Sequence, residues 1–151
     1  MQVHIRQFDL HEKSGKLYPT RVGTCFSPKR FANFTNMIHL IDEQVKLLRE
    51  GEPVSFKNHL GGGVYCTVNT GFDCVNIRQY FMPPNIQEEI PTRSGIAIRL
   101  SEWDEIVKCI EDVKNLSPEL KNAEICYLQQ DHQYLMQFVE CPECNSFPLK
   151  E

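Results

Sequence analysis

Four arginines recur at matched places in the chain, each set with an aromatic or a strand partner beside it. Arg6 and Phe8 stand two residues apart in Val3-His4-Ile5-Arg6-Gln7-Phe8, and Arg78 and Tyr80 stand two apart in Val75-Asn76-Ile77-Arg78-Gln79-Tyr80. In an extended strand, residues two apart share a face. A guanidinium and a ring projecting from one rigid face can grip a single nucleic-acid strand: the cation neutralises phosphates and the ring stacks on a base, at ~1–3 kcal/mol per base. Arg21 and Arg93 lie in Pro19-Thr20-Arg21-Val22-Gly23 and Pro91-Thr92-Arg93-Ser94-Gly95, expected to be neighbouring strands that reach the same phosphate run. The competing expectation is that these arginines form ion pairs with Glu and Asp on their own sheet.

Other reactive residues carry weaker signals. Cys141-Pro142-Glu143-Cys144 is a single C-x-x-C, whereas a structural zinc site usually takes two such pairs, or one pair and two histidines. Cys126 and His132 are near in sequence, but their spacing fits no usual pattern, so the pair reads as coincidence or a redox-sensitive tail. A nucleophilic cysteine needs a histidine and an orienting group, and His39 and His59 have no such partner in view. Gly61-Gly62-Gly63 precedes no Lys-Ser/Thr and is read as a turn between strands, not a phosphate loop. The expectation is therefore a protein that is not an enzyme and that holds no metal or cofactor.

The elements that must position the arginines follow from periodicity. Residues 2–8 and 72–81 alternate apolar and polar side chains with β-branched and aromatic enrichment, which predicts half-buried strands. Loops follow at His11 to Gly15 and Met82 to Asn85, then second strands at about Leu17 to Phe26 and Ile90 to Leu100. Gly23 and Gly95 fall mid-strand, where glycine signals a bulge or a close backbone approach. Ser27-Pro28 opens a helix with an N-cap and a proline in the first turn. Ser101-Glu102-Trp103-Asp104 predicts a variant capping box with its carboxylate at Asp104. Phe31, Phe34, Ile38, Ile41, Val45 and Leu48 form the apolar stripe of the first helix, and Trp103, Ile106, Val107, Ile110 and Val113 that of the second. Gly51 and Pro53 stop the first helix, and Leu116-Ser117-Pro118 stops the second.

These elements form a repeat. Ile5 aligns with Ile77 and Pro19 with Pro91, each 72 residues on, and Phe31, Ile38 and Ile41 meet Trp103, Ile110 and Val113 in the same register without a gap. A further strand pair is expected over 54–69, around the glycine run, ahead of the second unit's matched strand. The first unit has no counterpart. Ile125-Cys126-Tyr127-Leu128 and Tyr134-Leu135-Met136-Gln137-Phe138-Val139, around a polar turn, suggest that 124–140 supplies those strands from the far end of the chain. An unrelated hairpin or a subunit interface is the equal alternative.

The second unit resembles the single-stranded-DNA-binding domain of the transcriptional coactivator positive cofactor four. The resemblance rests on Gly61-Gly62-Gly63-Val64-Tyr65-Cys66-Thr67-Val68, Val75-Asn76-Ile77-Arg78-Gln79-Tyr80-Phe81, Pro91-Thr92-Arg93-Ser94-Gly95-Ile96-Ala97-Ile98 and Trp103. It covers about 54–115 directly and 1–50 through the repeat. It implies an α+β fold: two repeats of a curved antiparallel sheet followed by a helix, spanning 1–53 and 54–115, with 116–151 as a C-terminal extension. Family members pair as dimers, so two linked copies imply an intramolecular pseudo-dimer about a pseudo-twofold axis, at the millimolar effective concentration of a short linker. The resemblance also implies that Arg78, Phe81 and Arg93 contact DNA, although strand alternation puts Phe81 opposite Arg78. This chain departs from the family pattern at Ile90 and Ser94, at Tyr18 and Val22 in the first unit, at Thr67 and Asn69, and in the acidic pair Glu88-Glu89.

The 151-residue chain has a net charge of −4, with 24% charged and 41% hydrophobic residues. That charge argues against broad electrostatic capture of nucleic acid, so any such site is local. No apolar run approaches the ~20 residues a bilayer crossing needs, and the N-terminus lacks a signal-peptide core. Seven cysteines, an odd number, then read as reduced thiols. The expected function is weak, non-sequence-specific binding of single-stranded or unwound DNA by a nuclear, transcription coactivator-like protein with transcription-related partners, acting as a monomer or a dimer. The alternative is a protein-interaction module that has kept the fold and lost the DNA channel.

Overall fold

A computed structural model describes residues 1–129, 141, 143 and 144 of the chain. The architecture is α+β, built from two antiparallel sheets and helices. Strands β1 (Val3–His11) and β2 (Lys16–Phe26) form a two-stranded sheet. Helix α1 (Pro28–Arg49) follows. Strands β3 (Ser55–Gly61), β4 (Val64–Asn69), β5 (Cys74–Phe81) and β6 (Ile90–Arg99) form a second sheet in that order, each antiparallel to the next. Helices α2 (Leu100–Lys114) and α3 (Pro118–Lys121) come next, then one 3-10 turn over Cys126–Leu128.

The hairpins β1–β2 and β5–β6 share one register. Val3 pairs with Phe26 and Val75 with Ile98; Arg6 pairs with Gly23 and Arg78 with Gly95; Phe8 pairs with Pro19 and Tyr80 with Pro91. Each hairpin shifts register at the same place, setting three residues of its second strand (Thr20 to Val22, Thr92 to Ser94) against one of its first, Gln7 or Gln79. Such a bulge bends the strand and sharpens its twist. The glycines just beyond it are required by close approach. A Cβ at Gly23 would lie 2.8 Å from the Ile5 carbonyl oxygen, and one at Gly95 would lie 2.5 Å from that of Ile77. Gly95→Ala is therefore expected to cost ~1–3 kcal/mol through forced backbone movement, and Gly23→Ala should do the same. Thermal unfolding would check this; variants that melt with the wild type would show that the hairpins are less tightly closed.

Both helices cap the buried face of the four-stranded sheet. Helix α1 packs on β3 and β4, and α2 on β5 and β6. Phe31, Phe34, Ile38 and Ile41 of α1 join Val64, Cys66, Val68, Val75, Ile77, Ile98 and Trp103 in one apolar cluster. Residues of α1 thus share a core with those of the four-stranded sheet and α2. Phe34 stacks on Phe26 at 5.0 Å between ring centres and meets Trp103 edge-on at 6.2 Å. Burial in this cluster pushes the Cys66 thiol up to about 12. None of the seven cysteines is in a disulfide.

The helix ends match expectation in one case and correct it in the other. Ser27 caps α1 by accepting from the Arg30 amide at 3.3 Å, and Pro28 opens the helix. Gly51, at a φ of 79°, closes it by donating to the Leu48 carbonyl. Helix α2 begins at Leu100, before the expected Ser101 cap. Its box is closed by Glu102, which accepts from the Arg99 amide at 3.0 Å. Asp104 is instead held by Arg49 of α1, at 2.7 and 3.1 Å. The loop after β5 also runs further than expected, to the start of β6 at Ile90.

The strand expected over 125–128 is a correction. Leu128 and Gln129 donate to the carbonyls of Ile125 and Cys126, closing a single 3-10 turn. This turn lies against α1, and its backbone groups are satisfied locally, so the segment has no need of a strand partner. The remainder of the proposed strand pair, 130–140, lies outside the described residues. Among the described residues, β1 and β2 pair only with each other.

Candidate nucleic-acid interface

The face of the four-stranded sheet opposite the helices is open. Along β5, Val75 and Ile77 point into the core, while Cys74, Asn76, Arg78 and Tyr80 line a groove of about 480 Å³. Thr67 and Asn69 of β4, Pro91, Thr92 and Arg93 of β6, and Phe72 complete its walls. Three of the residues expected to contact nucleic acid, Arg78, Tyr80 and Arg93, are therefore brought together on one concave surface. The alternation that places Arg78 with Tyr80 was legible in the sequence; the bulge in β6 is what keeps Arg93 beside them.

Arg78 and Arg6 are held by carbonyl oxygens. Arg78 Nη1 donates to the Thr92 carbonyl at 2.9 Å, and its Nε donates to Asn76 Oδ1 at 3.3 Å. Arg6 repeats the first contact, with Nη1 donating to the Thr20 carbonyl at 2.7 Å. The threonine between them is equally conserved in geometry: Thr20 donates to the Gln7 carbonyl at 2.9 Å, and Thr92 to that of Gln79 at 2.8 Å. Among the described residues no ion pair engages Arg6, Arg21, Arg78 or Arg93, so the expected alternative of pairing within the sheet does not occur there. Burial pushes the Cys74 thiol up, Asp73 pushes it further and Arg78 opposes both. Cys74 thus stays a neutral thiol at neutral pH and adds no charge to the groove.

The other expected residues are placed apart from this groove. Arg6 and Arg21 line a smaller hollow of about 170 Å³ with Gln79 and Ser94, where the two hairpins meet along β2 and β6. Phe8 is 51% exposed on the projecting part of β1, and lines neither hollow. Phe81 is 48% exposed at the end of β5 and does not line the groove; strand alternation holds beyond the bulge, because the extra residues belong to β6 and not to β5.

Two features escaped sequence reasoning. Phe72 sits in the β4–β5 turn, 67% exposed, on the groove wall. An aromatic beside Gly71, at a φ of 92°, in a turn of Asn, Thr and Asp was the available signal. The second is a cluster at the strand ends. Lys57 forms an ion pair with Glu89 and lies over the rings of Tyr65 and Tyr80, 4.6 and 4.5 Å from their centres. Tyr65 meets Tyr80 edge-on at 5.2 Å and donates to Glu89 at 3.1 Å. The acidic loop before β6 is thereby fastened across one end of the sheet, with one of its two glutamates neutralised.

No protein-family model matches the chain, and no curated protein or solved structure is significantly similar to it.

Proposed function

We propose that this chain binds single-stranded nucleic acid, without reading its sequence, along the open face of β4, β5 and β6. One observation carries the reading: Arg78, Tyr80, Arg93 and the exposed Phe72 line a single groove whose arginines are not engaged in ion pairs among the described residues. Cations tracking a backbone beside rings open to bases are what such binding needs. The matched registers, bulges and arginine-to-carbonyl bonds of the two hairpins support a duplicated unit, arranged as an intramolecular pseudo-dimer like the paired subunits of the positive cofactor four family. A nuclear, coactivator-like role follows from that resemblance.

Binding is weak, micromolar or poorer, because the groove offers two arginines on a body of net charge −4. With two phosphates neutralised, the slope of log K against log salt is about −1.4 for a single strand. Fluorescence anisotropy with labelled oligo-dT at low and moderate salt measures it. Arg93→Ala, at an exposed side chain, should flatten the slope by about 0.7. No binding at low salt, or binding indifferent to salt, would refute the proposal.

That failure would favour the second reading, a protein-interaction module. Its support is the projecting end of the first hairpin, where Phe8, Leu10, Leu17 and Tyr18 are all exposed, an apolar surface of a kind that marks interaction sites.

A further inference from the structure

Helix α1, the glycine turn between β3 and β4, and the 3-10 turn converge on a cluster of thiols. The sulfurs of Cys126, Cys141 and Cys144 all lie within 4.8 Å of one another. Cys126 Sγ and Cys141 Sγ are 3.6 Å apart. A disulfide bond is about 2.05 Å long, so this is a contact between separate thiols. Zinc–sulfur bonds of about 2.3 Å in a tetrahedron set neighbouring sulfurs about 3.8 Å apart. The Cys126–Cys141 distance is close to that spacing, and Cys144 lies within 4.8 Å of both.

We propose that Cys126, Cys141 and Cys144 bind a structural zinc ion that fastens the Cys141–Cys144 segment to α1 and the β3–β4 turn. Two residues between Cys141 and Cys144 is the usual separation in a zinc knuckle. What the sequence lacked was the third ligand, because Cys126 is 15 residues from Cys141 and reaches it only through the 3-10 turn. The knuckle is anchored independently of any metal. Glu143 accepts from Arg30 Nε at 2.8 Å and from Nη2 at 2.9 Å, and its carbonyl accepts from the Gly62 amide at 2.9 Å. A forked guanidinium–carboxylate pair fixes orientation as well as distance. Glu143 is thus held in place beside Cys144. Cys141 is buried, Cys126 half-buried and Cys144 exposed, which suits a site at the protein surface that holds a segment in place. A four-coordinate ion takes its fourth donor from outside the three thiols.

Metal content of the purified full-length chain, by elemental mass spectrometry, is the first measurement; one zinc per chain is expected. Cobalt(II) exchanged into the site should give tetrahedral d–d bands and a sulfur-to-metal charge-transfer band with the intensity of three thiolates. Cys126→Ser and Cys144→Ser should each weaken metal affinity by more than about a hundredfold, beyond the loss typical of an outer-shell partner. Cys109→Ser, at an exposed thiol on α2, should leave it unchanged. Chelation should lower the melting temperature, and zinc should restore it. Cys144, being exposed, can be replaced without disturbing the core, so loss of binding in that variant is not a folding defect. A chain purified without metal, whose cobalt complex lacks the charge-transfer band, would overturn the proposal. So would a chain two mass units light with Cys141 joined to Cys144, which would make the pair a redox couple.

Discussion

Phe72→Ala should weaken binding of oligo-dT about 5- to 150-fold while leaving the melting temperature where it was. The size follows from the loss of one base–aromatic stacking interaction, ~1–3 kcal/mol. The selectivity follows from exposure: Phe72 is 67% exposed and makes no ring contact among the described residues, so its truncation removes little buried area. Tyr80 is a poorer stacking platform than strand alternation suggests. Lys57 lies 4.5 Å over its ring and Tyr65 meets it edge-on, so part of its surface is already occupied. Tyr80→Ala should therefore disturb the Lys57–Glu89–Tyr65 cluster as well as any bound strand, and lower the melting temperature with the affinity. Oligo-dT titration beside a thermal melt separates the two. Phe72→Ala binding as tightly as the wild type would place the strand elsewhere on the molecule.

The largest stability effect belongs to Trp103→Ala, at ~3–5 kcal/mol. That is a large share of the 5–15 kcal/mol that holds a typical domain together, and corresponds to a fall of about 6–20 °C in melting temperature for a chain of this size. Trp103 is fully buried, meets Phe34 edge-on, and donates from Nε1 to Asp42 Oδ1 at 3.1 Å. Phe34 and Asp42 belong to α1, whereas Trp103 opens α2. The indole therefore bridges α1 and α2, and its loss should loosen both at once. Trp103→Phe should cost less, since the ring contact survives and only the bond to Asp42 is lost. Chemical denaturation followed by far-ultraviolet circular dichroism checks the expected single transition. A variant in which one half unfolds before the other would show that the shared core does not couple them.

Much of the local structure could be read from residues a few positions apart. Alternation along Val75 to Phe81 placed Arg78 and Tyr80 on one face, and the groove holds them there. Gly23 and Gly95 announced the close approach that the bulged hairpins impose. Ser27-Pro28 marked the start of α1. The apolar stripes named the core-facing residues of both helices, and the constant separation of 72 residues foretold two hairpins with one register. Where a cap was misplaced, at Ser101, a distant partner was responsible: Arg49 takes the carboxylate of Asp104, and Glu102 closes the turn in its place.

What only the tertiary structure decided are the meetings between distant segments. The chain's own pattern determined strand faces, bulge sites, helix stripes and the common register of the two hairpins, because these depend on backbone geometry and neighbours within a turn or a hairpin. It did not reveal that α1 covers β3 and β4, that Lys57 and Glu89 lock together over Tyr65 and Tyr80, that Phe72 stands on the groove wall, or that Cys126 joins Cys141 and Cys144. Each of these depends on how the two sheets and two long helices pack about one core, and side chains far apart in the chain have no local periodicity to betray that they will touch.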